Sequence, residues 1–178
     1  MNPVVLVLAS GRGERFLASG GRTHKLQALL GERTVLQRTL DAVRASGLPW
    51  HLEDAGHSGM GDSIAAAVRA TADADGWLIL PADLPLVLPE TLRRIAAAPS
   101  EQAVVRPVHQ GRHGHPVRFA RGCGPALAAL SGAQGAASVV KAFGLTELVV
   151  DDVGCVSDID TVDDLQQALK IVRSRDAH

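Results

Sequence analysis

Apolar runs alternate with amphipathic stretches along this chain of 178 residues, and the first run, Val4-Val5-Leu6-Val7-Leu8, breaks into a loop crowded with Gly, Ser and basic residues. An unbroken apolar segment from Pro3 to Ala9 suits a strand covered on both faces. The stretch 34–46 places Val35, Leu36, Leu40 and Val43 at helical spacing, and Gly47 closes it. A short strand is expected in 49–54, a helix from Asp62-Ser63 through an Ala-rich body, and a strand from Gly76 into a Pro-bounded loop. A helix follows with Pro89 in its first turn. In 102–120 two extended segments flank Gln-Gly-Arg-His-Gly, the pattern of a β-hairpin. Two helical stretches, a strand at 146–153 and a closing helix come last; Thr161 is its expected N-cap, with Asp164 three residues on. Strands alternating with helices predict an α/β fold: a three-layer α/β/α sandwich around a mostly parallel sheet, with an antiparallel hairpin insertion. With no repeat or linker, one domain is expected over 1–178.

In such sheets ligands gather at the carboxyl ends of the strands. Three segments follow strands in this way and should share one crevice: the opening loop, Pro81-Ala82-Asp83-Leu84-Pro85, and Ser157-Asp158-Ile159-Asp160. A net charge of −1 supplies no global basic field, so no nucleic-acid partner is expected. No apolar run is long enough for a membrane span, and the N-terminus does not read as a secretory signal, so a cytoplasmic location is the expectation. Cys123 and Cys155 are too few and too isolated for a disulfide scaffold or a zinc site.

The opening loop presents Gly11 and Gly13, where backbone N–H groups can approach phosphate oxygens, with Arg12, Arg15, Arg22 and Lys25 nearby. It fits neither common phosphate-loop template: Phe16 stands where GxGxxG needs glycine, and Lys25 is not preceded by glycine or followed by Ser/Thr. A solvated Gly/Ser surface loop would have the same composition. Asp83 lies between two prolines just past an apolar strand. A carboxylate there can hold Mg²⁺ against phosphates, or simply form a turn. Asp158 and Asp160 precede the Thr161 cap and point the same way in an extended segment, so one of them could be a second metal carboxylate. Asp163 and Asp164 are explained by the helix dipole alone. Gly59-Met60-Gly61-Asp62-Ser63 is a second Gly-rich loop, open to a ribose or base, or an ordinary helix entry capped by Asp62 or Ser63. The hairpin carries Arg112, His113, His115 and Arg118, suited to an anionic second substrate or to a solvent-exposed turn.

Taken in order, LASGRGERF with Lys25-Leu26, GMGDSIAAAV, LPADLPLV, GRHGHPVRF and DIDTVDDL resemble the nucleotidyltransferase family that includes the molybdenum cofactor cytidylyl- and guanylyltransferases. The resemblance runs over nearly the whole chain, and GMGDS and GHPVRF are more similar to the cytidylyl branch. It implies a Rossmann-like fold and transfer of a nucleotidyl group, most readily CMP from CTP, to the phosphate of molybdopterin with loss of pyrophosphate. The rival readings are GTP as donor, another phosphorylated acceptor, and a non-catalytic nucleotide or cofactor binder.

By residue, the resemblance implies that Leu8, Ala9, Ser10, Gly11, Arg12 and Gly13 wrap the nucleotide. Lys25, Arg15 and Asp83 are catalytic; Asp83 with Asp160, or Asp158, binds Mg²⁺. Gly59, Met60, Gly61 and Ser63 lie near base and ribose, and Arg112, His115 and Pro116 near the acceptor. A molybdoenzyme partner fits the same picture, with the chain a monomer or homodimer. The sequence departs from the family pattern twice. Leu17–His24 lengthens the loop before Lys25, with Gly20 and Gly21 placed to turn it back. Only 48–58 separates Gly47 from Gly59, room for one strand and no helix, so a sheet narrower than the family norm is expected.

Overall fold

The computed structural model describes residues 2–178. The first apolar run forms β1 (Val4–Leu8), in register with β4 (Trp50–Glu53) on one side and β5 (Gly76–Pro81) on the other, both parallel to it. A return strand, β8 (Val117–Ala120), lies antiparallel between β5 and β6 (Val104–His109). The short β7 (Arg112–His113) pairs with the far end of β6, and β9 (Leu145–Val149) runs parallel along its other edge. Five strands of this 7-stranded sheet therefore run one way, and β7 and β8 run the other. A separate two-stranded ribbon joins β2 (Leu29–Leu30) to β3 (Arg33–Thr34).

Alternation along the strands separates two cores. Val5, Val7, Leu78, Leu80 and Val105 face α2 (Val35–Ser46), α4 (Pro89–Ala96) and α7 (Val162–Asp176). Leu6, Leu8, Trp77, Ile79, Val104 and Phe119 face α3 (Met60–Ala70), α5 (Gly124–Ala128) and α6 (Ala137–Phe143). The result is the expected three-layer sandwich. Among the described residues, no helix is long and apolar enough to cross a membrane.

Two capping boxes fix helix starts: Thr161 with Asp164 on α7, as expected, and Thr34 with Gln37 on α2. Gly47 ends α2 with φ 72°, as a C-terminal glycine does. Between α2 and α3 the chain makes only β4, which becomes a sheet edge.

Two expectations need correction. Helix α3 starts at Met60 with Gly59 at its cap and no side-chain cap bond, so Asp62 and Ser63 lie inside its first turn rather than capping it. The hairpin is present with a Gly-containing turn, Gln110-Gly111, both at positive φ, but its return strand is broken between β7 and β8. In that break Gly114 N–H donates to the Pro107 carbonyl and His115 N–H to the Cys155 carbonyl. Pairing with Cys155 tilts His115 off the strand and onto the wall of a cavity.

Candidate active site

The opening loop begins where β1 ends, and the Ala9 N–H donates to the Glu53 carbonyl while the Leu8 carbonyl accepts from Ala82 N–H. These bonds bind the loop to the ends of β4 and β5. From Gly13 the chain enters a one-turn helix, α1 (Glu14–Ala18), whose Phe16 is buried in the core. Gly20 then takes φ 104°, and Gly21 packs so closely that a Cβ would lie 2.3 Å from the Phe16 ring. Only glycine allows that reversal. Ser19 Oγ donates to the Phe16 carbonyl and accepts from Val162 N–H, pinning the loop to the start of α7. His24 completes the return: its Nε2 donates to the Gly11 carbonyl at 2.7 Å and its Nδ1 accepts from Leu26 N–H. The long loop therefore delivers Lys25 to the strand ends.

There Lys25 Nζ donates to Asp83 Oδ2 at 2.7 Å and to Asp160 Oδ1 at 3.0 Å. Arg15 reaches the second oxygen of Asp160 at 3.1 Å from the solvent side, 81% exposed against 13% for Lys25. The Ile159 N–H donates to the Asp83 carbonyl, so the two acidic loops are tied through the backbone. Asp83, Asp158 and Asp160 bring one carboxylate oxygen each within 4.8 Å of one another. Asp83 Oδ1 is buried without a hydrogen-bond partner. Burial works to lower the Lys25 pKa, but the Asp83 and Asp160 carboxylates outweigh it and hold the value above that of a free lysine. Loss of solvent raises the Asp158 pKa, helped by the neighbouring charges of Asp83, Asp160 and Asp164.

This cluster adjoins a cleft of about 430 Å³ lined by Gly11, Arg12, Gly13, Arg15, Lys25 and Asp160. A recess of about 260 Å³ shares Gly11 and Arg12 with it and continues past Ser10, His57, Gly59 and Met60. His57 was not singled out by sequence. Its ring nitrogen meets Glu53 Oε1 at 2.9 Å, with His51 on the other oxygen at 3.2 Å.

Gly61 and Ser63 line neither space. The Gly61 N–H donates to the Gly132 carbonyl, and a Cβ on Gly59 or Gly61 would strike the 131–134 loop at 2.2 and 2.7 Å. These glycines admit a neighbouring backbone, Gly59 also faces the recess, and Ser63, wholly buried, reaches it through Ser10 Oγ. Leu8 and Ala9 are buried or half-covered below the loop.

A third cavity of about 350 Å³ opens on the α3 and α6 side, lined by Leu8, Met60, Ile79, Pro81, Arg106 and His115 among others. Burial, with the Arg106 charge beside it, depresses the His115 pKa to about 4. Pro116 is buried beneath it. Arg112 is exposed, is absent from the cavity wall and donates to the Val156 carbonyl. Arg106 was missed by sequence. A lone Arg in the apolar run 103–108 could have marked it.

The model of the MobA-like NTP transferase domain matches residues 41–148, more than half of the chain. The chain belongs to this family. The MobA-like match includes Asp83, the Gly59–Ser63 segment and the hairpin, but not Lys25, Asp158 or Asp160. Among solved structures, Rv0371c of Mycobacterium tuberculosis H37Rv is 26% identical with a TM-score of 0.78, over 96% of this chain and 98% of that one. A complex of Rv0371c with manganese aligns with a TM-score of 0.74 at 24% identity, over 96% and 99%. Mth528, a nucleotidyl transferase from Methanothermobacter thermautotroptrophicus, gives 0.80 at 20% identity over 97% and 99%. Molybdopterin-guanine dinucleotide biosynthesis protein A from Archaeoglobus fulgidus gives 0.70 at 18% over 96% and 99%. A stretch of 23 residues is 83% identical to Escherichia coli YagP, named for a LysR family substrate binding domain, and spans 13% of this chain and 17% of that protein. So short a match carries no functional argument. The MobA-like domain of this chain is a nucleotidyltransferase.

Proposed function

We propose that the enzyme transfers a nucleotidyl group, most readily CMP from CTP, to the phosphate of a molybdopterin-type acceptor. An acceptor phosphate oxygen attacks the α-phosphorus, the bond to the β-phosphate oxygen breaks, and pyrophosphate leaves with that electron pair. The observation that carries the proposal is the convergence of the Asp83, Asp158 and Asp160 carboxylates, with Lys25 bonded to Asp83 and Asp160 and Asp83 Oδ1 left unpartnered. A buried carboxylate oxygen without a donor is costly, and a hard divalent cation satisfies it. Asp83 and Asp160, with Asp158 as the nearest alternative, would hold Mg²⁺. The manganese complex of Rv0371c supports a divalent ion in this fold.

When bound, such an ion supplies charge neutralisation at phosphate oxygens. The chain supplies the rest. Backbone N–H groups of 10–13 cradle the phosphates, and the paired recess beside Met60 receives the base. Lys25 and Arg15 sit where negative charge grows as pyrophosphate departs. No enzyme nucleophile or general base is required, because the attacking phosphate is ionised near neutral pH. The preference for CTP over GTP rests on the similarity of GMGDS and GHPVRF to the cytidylyl branch. A molybdoenzyme that collects the product is the matching partner.

The Asp83→Asn variant tests the site. It is expected to keep its circular-dichroism spectrum and lose metal-dependent pyrophosphate release by about 100-fold or more. Unchanged turnover would remove Asp83 from the metal site.

A further inference from the structure

The cavity between β5, β6 and α6 has apolar walls, among them Ile64, Ile79, Val117 and Val140, and one permanent charge. That charge is Arg106. Its Nε is buried with no hydrogen-bond partner, and among the described residues no carboxylate lies within ion-pair distance of it. Glu147, its register partner on β9, pairs with His113 at 2.5 Å instead. Burial lowers the Arg106 pKa only against the pull of Glu147, and an arginine stays charged in proteins. An unpaired, half-buried guanidinium is destabilising, and an apolar side chain of similar volume would fit these walls better. Its presence is explained by a ligand that completes it.

The cavity's position says which ligand. Leu8 and Pro81 on its wall are the last residues of β1 and β5, so it opens beside the nucleotide loop and Asp83. Met60 is common to this cavity and to the nucleotide recess, so the two spaces are neighbours with a shared wall. His115 on the rim is kept neutral near pH 7 and adds no competing charge.

We infer that Arg106 is the specificity-determining residue for the acceptor, gripping the phosphate of a monoester whose flat, apolar body fills the cavity. Arg106 then does what the hairpin's exposed Arg112 does not. The inference rests on the transfer reaction proposed above, which supplies the choice of phosphate over carboxylate. A guanidinium offers forked donors to a phosphate, and a lysine would offer only a point charge.

Phenyl phosphate is a probe with the required chemistry. Calorimetric titration into the protein holding a non-hydrolysable CTP analogue should show it binding at least tenfold more tightly than inorganic phosphate, phenol or benzoate. Arg106→Met should weaken phenyl phosphate tenfold or more, leave CTP-analogue affinity unchanged and melt at or above the wild-type temperature. Arg106→Lys should recover part of the loss. Arg15→Ala should leave the phenyl phosphate isotherm intact. The inference is overturned if phenyl phosphate does not bind, if the CTP analogue displaces it, if Arg15→Ala rather than Arg106→Met abolishes binding, or if Arg106→Met melts lower. Benzoate binding as tightly as phenyl phosphate would also overturn it. A normal isotherm with no nucleotide turnover would sink the transfer reaction and keep the cavity's ligand class.

Discussion

His115 and Lys25 show how position sets charge in this site. Lys25 stands between two carboxylates and is held protonated above the ordinary lysine range despite its burial. His115 has the opposite surroundings, burial and a cation, and its pKa falls from 6.5 to about 4. The unfolded chain therefore binds a proton at His115 between these values that the folded chain does not. Stability from this group is complete above about pH 6.5 and drains away as pH falls toward 4, by about 2 kcal/mol between pH 7 and pH 5. Urea midpoints of wild type and His115→Gln at those two pH values check this; the wild type should lose more, and equal losses would contradict it. Lys25, Asp83 and Asp160 were legible in sequence because each follows or precedes a punctuated element: a Gly-rich loop, a Pro-bounded turn, a capped helix. Arg106 was not, because nothing local tells which face of β6 it occupies or that Glu147 is taken by His113. His57 escaped for the same reason: its partner Glu53 is buried by the pairing of β4 with β1.

Elements carry the site through backbone ties rather than through side-chain contacts alone. The loop holding Asp158 and Asp160 is suspended between a 3-10 turn at Val153–Val156 and the capped start of α7. Asp152 anchors the other end. Its buried carboxylate accepts from Leu88 N–H at 3.0 Å and Thr91 Oγ at 2.7 Å on α4, and from Gly154 N–H at 2.8 Å. Asp152→Ala leaves these donors buried and unpaired and is expected to destabilise the fold by about 2–4 kcal/mol, measured by urea unfolding. A loss below about 0.5 kcal/mol would mean that water replaces the carboxylate. Helix-start signals were readable at α7, where the Thr161 cap and its acidic partner lie three residues apart. They misled at Gly59–Ser63, because Asp-Ser resembles a cap and the true constraint, the 131–134 backbone lying against Gly59 and Gly61, is distant in sequence. The broken return strand was equally hidden, since the carbonyl that takes the His115 N–H belongs to Cys155, forty residues away in sequence.

At the scale of the whole molecule, three spaces meet at one end of a seven-stranded sheet: a polar cleft beside Lys25, a recess that shares Gly11 and Arg12 with it, and an apolar cavity across Met60. The alternation of the sequence foretells that end as the site, because a mostly parallel sheet points its loops there. It does not foretell how the spaces divide, which depends on α6 and the 131–134 loop closing over α3. In the proposed reaction, donor and acceptor occupy neighbouring spaces that share Met60 and meet beside Asp83. Pyrophosphate release with each of the four nucleoside triphosphates, with and without molybdopterin and at fixed Mg²⁺, measures that directly. The expected result is release that requires both CTP and molybdopterin. Nucleotide binding without release from any of the four would contradict transfer, and release from GTP but not CTP would contradict the cytidylyl assignment.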